Sequence, residues 1–279
     1  MIKEEKEKLK KIAKTIREEI IKMISEAGSG HTAGSLDMVE ILVAIYFNIL
    51  KYDPKNPDWK DRDYLIYSHG HTCPALYAVM AEVGFFPKSE LRTLRKLGSP
   101  LQGHPHKEWL KGLETSSGPL GEGLSQAIGM ALAHRINVNF QNSDDKYFYC
   151  LMSDGEFQEG QTWEALMLAG KEKLNKLIAI VDRNNIQISG NTEDVMPLES
   201  FKNKLESFNW SVMEIDGHNF EEIIGAIEDA KKVLDKPIII IANTIAGKGF
   251  KEFEGDYRWH GKVPTPEQAK EILNDSIGK

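Results

Sequence analysis

The chain has 279 residues, of which 41% are hydrophobic and 28% charged. That composition excludes a disordered chain and is long enough to bury a large core. A net charge of −7 excludes a general nucleic-acid or acidic-membrane binder, because such proteins present a basic face. Any anionic ligand must then be met locally, by a metal and backbone N–H groups.

Residues 1–20 are charged from the third onward and carry no apolar core. They read as neither a secretory signal nor a membrane span, so the expected location is the cytoplasm. Residues 3–26 predict an amphipathic helix, with Leu9, Ile12, Ile16, Ile20, Met23 and Ile24 at helical spacing. Gly28, Gly30 and Gly34 break that pattern. A second helix is expected over 36–50, apolar nearly all round and therefore deeply buried. A polar, Pro-containing loop follows. Apolar runs at 147–152, 177–181 and 238–242 read as strands covered on both faces, with a shorter one at 212–215. Helices are expected between them at 162–173 and 220–234. The two cysteines, Cys73 and Cys150, match no zinc or redox spacing. Cys150 sits in an apolar run and reads as a small buried hydrophobe.

Strands alternating with helices predict an α/β fold: a mostly parallel β-sheet with helices on both faces, binding ligands at the carboxyl ends of its strands. With no internal repeat or linker, residues 1–279 read as a single domain with N-terminal helices and a C-terminal helical tail. The run 153–160, SDGEFQEG, leaves the first of these strands, and 182–186, DRNNI, leaves the next. Asn184 lies thirty positions after Asp154, one β-α-β unit later. Adjacent parallel strands place their ends about 5 Å apart. An Asp carboxylate, an Asn carbonyl and a backbone carbonyl suit Mg²⁺ or Ca²⁺ completed by a diphosphate, not zinc. Gly155 lets backbone approach a phosphate. Alone, either motif also fits a simple turn.

SDGEFQEGQTWEA followed by VDRNNIQISG resembles the thiamine-diphosphate motif, with Ser153 where glycine is usual. The ordered series SGHTAGSL, SHGHTCPALYA, LQGHPHK, SSGPLGEGLSQAIGMALA, IAGKG and RWHGKVP resembles the N-terminal half of transketolase over nearly the whole chain. The resemblance implies thiamine diphosphate with Mg²⁺ (or Ca²⁺ or Mn²⁺) as cofactors. Asp154, Asn184 and the carbonyl of Ile186 would hold the metal, and Gly155 N–H would touch a phosphate, with Glu156 beside it among the cofactor contacts. Gly118, Pro119 and Leu120 would border the aminopyrimidine. Ile188 would hold the cofactor bent, so that its own amino group lies beside the carbon whose proton it removes. His71 and His260 would lie near the diphosphate, while His31, His104 and His260 would line the donor-sugar channel, where imidazole can donate or accept near neutral pH. His106, His134 and His218 read as surface or capping residues. His69, where relatives more often carry asparagine, stays outside the site.

The family's second half, with the glutamate that activates the aminopyrimidine and most phosphate-binding arginines, resembles no segment here. The resemblance therefore implies a C-terminal partner subunit in an α2β2 heterotetramer, with Glu159 at the interface. As an acid near a helix N-terminus, Glu159 is equally favourable to the helix dipole. The tail reads as a finished amphipathic helix. The implied reaction is transfer of a two-carbon ketol unit from a ketose phosphate to an aldose phosphate. Alternatives are a specialised transketolase, a deoxyxylulose-phosphate-synthase-like enzyme, or a non-catalytic relative. The departures Thr32-Ala33-Gly34 and His106 leave the sugar open. A nicotinamide-binding G-x-G-x-x-G is not matched by GPLGEG, whose spacing is wrong.

Overall fold

The computed structural model describes residues 2–141 and 146–277. The chain opens with α1 (Lys3–Ala27), which buries the apolar stripe Leu9, Ile16, Ile20, Met23 and Ile24 and ends on Gly28 in a left-handed cap. The expected second helix begins earlier, as α2 (Thr32–Asp37), α3 (Val39–Ala44) and a π-helical turn, Ile45–Ile49. Gly34 does not break it. A Cβ there would meet Thr72 Cγ2 at 2.8 Å, so this glycine serves close packing. Residues 32–49 are apolar enough to cross a membrane, but 83% of that window is buried within the fold.

Next come β1 (Tyr64–Tyr67) and α4 (Cys73–Glu82), followed by α5 (Glu122–Gln141). None of these three was anticipated from the sequence. Then follow β2 (Phe148–Ser153), α6 (Gly160–Glu172) and β3 (Leu177–Arg183). A small hairpin, β4 (Ile186–Gln187) and β5 (Gly190–Asn191), leads into α7 (Thr192–Val195) and α8 (Phe201–Ser207). The chain continues with β6 (Ser211–Asp216), α9 (Phe220–Ala230), β7 (Ile238–Asn243) and α10 (Pro266–Ile277). Residues 278–279 of the expected tail lie outside the described residues.

The main sheet has the order β1-β2-β3-β7-β6, and every pairing in it is parallel. Successive residues of its central strands feed opposite cores. Ile178, Ile180, Ile238 and Ile240 pack with α1, α3, α4 and α9. Leu177, Ala179, Val181 and Ile239 pack with α5, α6 and α8. A slip of one residue would exchange these faces. Each fully buried aliphatic side chain contributes about 1.5–3 kcal/mol over an exposed one, so strands buried on both sides have a firmly set register.

The segment after β7 is clamped to the first helices. Arg17 forks onto Glu40 at 2.7 and 2.6 Å and donates to Lys248 O at 2.8 Å. His218 Nε2 accepts from Ile245 N at 2.8 Å, and its Nδ1 faces Glu40 at 3.0 Å. Burial pushes Glu40 up, but Arg17 and His218 outweigh it and hold its pKa at about 2. His218 is thus a half-buried clamp residue, not the surface or capping residue expected.

Candidate functional site

All strands of the main sheet run the same way, so their carboxyl ends gather along one edge, the usual ligand crevice of open α/β sheets. Ser153 of β2 stands opposite Asp182 of β3. Asp154 and Asn184 therefore follow the paired ends of two neighbouring strands. Both line a cavity of about 390 Å³, within the range of small-molecule sites.

Asp154 is 1% exposed. Its Oδ2 accepts from Asn185 N at 2.9 Å, Arg183 Nη1 at 3.0 Å and Thr192 Oγ1 at 3.3 Å, and none of these bonds uses Oδ1. Burial raises its pKa, against the pull of Arg183 and the Asn185 N–H. Asn184 donates from Nδ2 to Asp37 Oδ2 and Asp182 Oδ2, both at 3.0 Å. Those two acids decide the amide's orientation, because only its nitrogen can donate. Its Oδ1 accepts from Ile186 N at 3.0 Å and keeps a second lone pair. Burial pushes Asp182 up to about 7, helped by the charge of Asp154. It pushes Asp37 well up too, with the Asp182 charge adding. The Thr244 hydroxyl also bonds Asp182.

Gly155 follows Asp154 at the cavity wall. A Cβ built on it would meet no protein atom within 4 Å, so its bare backbone borders open space. Three histidines from separate segments cluster nearby. Ring centroids are 5.0 Å apart for His31 and His71, 5.2 Å for His71 and His260, and 5.5 Å for His31 and His260. His104 joins them along the cavity. The Thr32 hydroxyl donates to Lys262 O at 2.6 Å, tying the His31 turn to the loop that carries His260.

Burial lowers all four pKa values: His31 falls to about 4, His71 well below its ordinary value, and His104 and His260 also fall. They are neutral imidazoles at neutral pH, each able to donate from one nitrogen and accept at the other. His31 Nδ1 and His260 Nδ1 are buried with no hydrogen-bond partner among the described residues. Buried polar atoms without partners are costly, and here they are atoms of cavity-lining side chains.

The structure brings together His31, His71, His104, Gly118, Leu120, Asp154, Gly155, Glu159, Asn184, Ile186, Ile188 and His260 on one cavity. Ile188, at the tip of the β4–β5 hairpin, is 72% exposed. Two expected contacts differ. Pro119 is exposed and does not line the cavity. Glu156 is fully buried beneath the site, not in it. Its carboxylate takes Gly121 N at 2.8 Å, Ser153 N at 2.9 Å and the Ser68 hydroxyl, bracing three loops, and burial pushes its pKa up to about 7. His69 is buried beside it, with Nδ1 3.9 Å from Glu156 Oε2. Sequence reasoning missed Ser153, Gln158, Gln187 and Ser189 in the lining, and Asp37, Asp182 and Arg183 behind it. Only the proximity of Asp182 and Arg183 to Asn184 hinted at them.

This donor set fits a hard divalent cation: one carboxylate and one amide oxygen, both held from behind. No cluster of three or more His, Cys, Asp or Glu among the described residues suits a metal by itself. A cation here would complete its shell with oxygens of a bound anion, as Mg²⁺ does with phosphates.

The profile of the family described as "Transketolase, thiamine diphosphate binding domain" matches residues 8–275. The 6-deoxy-6-sulfo-D-fructose transketolase subunit of Clostridium sp. (strain MSTE9) is 43% identical over 92% of each chain. An apulose-4-phosphate transketolase subunit of Phocaeicola vulgatus is 39% identical over 93% of this chain and 90% of its own. Among solved structures, the transketolase of Leishmania mexicana superposes with a TM-score of 0.92 at 31% identity. That of Campylobacter jejuni gives 0.90 at 37%. The matches cover 96% of this chain but only 41% and 42% of those two, so the chain spans about two fifths of the solved enzymes it resembles.

Proposed function

Because the chain belongs to the transketolase family, we propose that it is the diphosphate-binding, N-terminal subunit of a split enzyme that moves a two-carbon ketol unit from a ketose phosphate to an aldose phosphate. The observation that carries this reading is one cavity joining Asp154, Asn184 and Ile186 to His31, His71, His104 and His260. Asp154, the Asn184 amide oxygen and the Ile186 carbonyl would hold Mg²⁺, and the Gly155 N–H would meet a diphosphate oxygen. Thiamine diphosphate, when bound, supplies the nucleophilic carbon and the electron sink for breaking a carbon–carbon bond beside a carbonyl.

Ile188, exposed on the cavity wall, would pack against the cofactor. His31, His104 and His260 hydrogen-bond the donor's carbonyl and hydroxyl oxygens and hold the protons that move there, a task suited to neutral imidazoles. The lining includes no Lys or Arg, so the anionic end of a sugar phosphate is met by the partner subunit. Relatives named as transketolase subunits, matched over nine tenths of their own length, support such a partner; the assembly proposed with it is α2β2. The sugars in their names differ from each other, which supports a second reading, a transketolase specialised for an unusual ketose.

Asp154→Ala tests the site. In the complex with the partner it should abolish Mg²⁺-dependent thiamine-diphosphate binding in calorimetry, while circular dichroism stays that of the wild type. A folded variant that still binds with unchanged affinity refutes the metal assignment.

A further inference from the structure

Arg183 ends β3 and is 3% exposed, yet nothing in the site described above needs a cation at that position. Its guanidinium reaches two ways. Nη1 donates to Asp154 Oδ2 at 3.0 Å. Nη2 donates to Glu193 Oε1 at 2.6 Å and Glu199 Oε1 at 3.1 Å. Phe201 stacks under it, with Cζ 5.7 Å from the ring centroid. The two glutamates bind their own backbone in turn: Glu193 takes Leu198 N at 3.0 Å, and Glu199 takes Phe201 N at 3.0 Å. They therefore belong to the segment that follows the β4–β5 hairpin and carries its far end. The hairpin presents Ile188 to the cavity, and Thr192, directly after it, touches the same Asp154 Oδ2.

We propose that Arg183 is a positioning residue that fixes the cation-binding carboxylate and the hairpin carrying Ile188 to one another, so that each is set in place by the other. The inference rests on the diphosphate-site reading above. Arg183 needs the planar fork of arginine for this, since a lysine ammonium has no such fork to span both ends at once. The opposite role is also physically defined. As a mere counter-charge beside Asp154, a cation repels Mg²⁺, and its removal would strengthen metal binding.

Arg183→Lys separates the two, because it keeps the charge and loses the fork. In the complex with the C-terminal partner, Mn²⁺ is titrated in the presence of thiamine diphosphate and followed by the resonance of the free ion. Amide exchange of residues 186–191 is followed separately without metal. Arg183→Lys should weaken Mn²⁺ binding about tenfold, the usual cost of losing a partner behind a metal ligand. Exchange in the hairpin should rise about tenfold, as expected when one charge-assisted hydrogen bond goes. Wild-type affinity, tighter binding, or a hairpin exchanging at the wild-type rate each overturns the proposal. Glu199→Gln changes a side chain 62% exposed and spares the core. It should shift both readouts the same way by less, and no shift in either counts against the proposal. A wild-type complex that binds no Mn²⁺ would sink the diphosphate-site reading instead. Hairpin exchange in Arg183→Lys would then still decide what Arg183 holds.

Discussion

Asn184 turns its amide nitrogen onto two buried acids and so keeps a lone pair of its oxygen, the one the proposed reading gives to a cation. Asp154 spends Oδ2 on Arg183, Asn185 and Thr192. If both residues bind the proposed cation, the protein orients each by occupying the atom that is not needed. His69 shows the opposite condition: it is fully buried, and neither ring nitrogen finds a side-chain hydrogen-bond partner among the described residues. Burial holds its pKa at about 3, against an ordinary 6.5. A pKa depressed on folding means that the unfolded chain takes the proton first as pH falls. Stability is therefore whole above about 6.5 and is lost as pH drops toward about 3. Buried Glu156, raised to about 7, tilts the profile the other way, so the test has to be a difference. Wild type minus His69→Gln, measured by urea unfolding, should be constant above about pH 6.5 and shift against the wild type by about pH 5. A difference that does not change with pH would show that His69 is not neutral for this reason.

The elements owe much of their fit to glycines that propensity alone misreads. Gly170 in α6 lies where an added Cβ would come within 2.0 Å of Phe208 O, a backbone atom that cannot step aside. Gly225 in α9 would carry a Cβ into open space. Both are helical glycines, which cost a helix about 0.5–1 kcal/mol relative to alanine. Gly225→Ala should therefore gain about 0.5–1 kcal/mol, and Gly170→Ala should lose about 1–3 kcal/mol through overpacking. Thermal or denaturant unfolding measures both, and a stabilising Gly170→Ala would mean that α6 moves freely against the Phe208 turn. The same contrast explains the early start of the second helix. Gly34 looked like a breaker, and it is a contact with Thr72. β1 was missed because its four residues are too few to show a period, and α5 because Gly123 and Gly129 interrupt its apolar pattern.

At the scale of the whole molecule, the cavity opens outward, with Ile188 72% exposed and no cationic side chain in its lining. A diphosphate would meet a metal and backbone there, and little else. The chain alone should therefore show weak or no thiamine-diphosphate binding in calorimetry, rising sharply when the C-terminal partner and Mg²⁺ are added. Tight binding by the lone chain would contradict the shared-interface reading. The central strands, the first helix, the parallel class and the placement of Asp154 and Asn184 were legible in the sequence. Apolar periodicity and strand-end motifs are local signals, carried by neighbours in the chain. Asp37 beneath Asn184, Arg183 between Asp154 and the hairpin, and Glu156 bracing three loops were decided only by the tertiary structure. Each joins segments far apart in sequence, and no local pattern records which buried charge will meet which. The segment from Ser153 to Asn184 announced an oxygen-ligated metal. The fold decided which residues of that segment line the cavity.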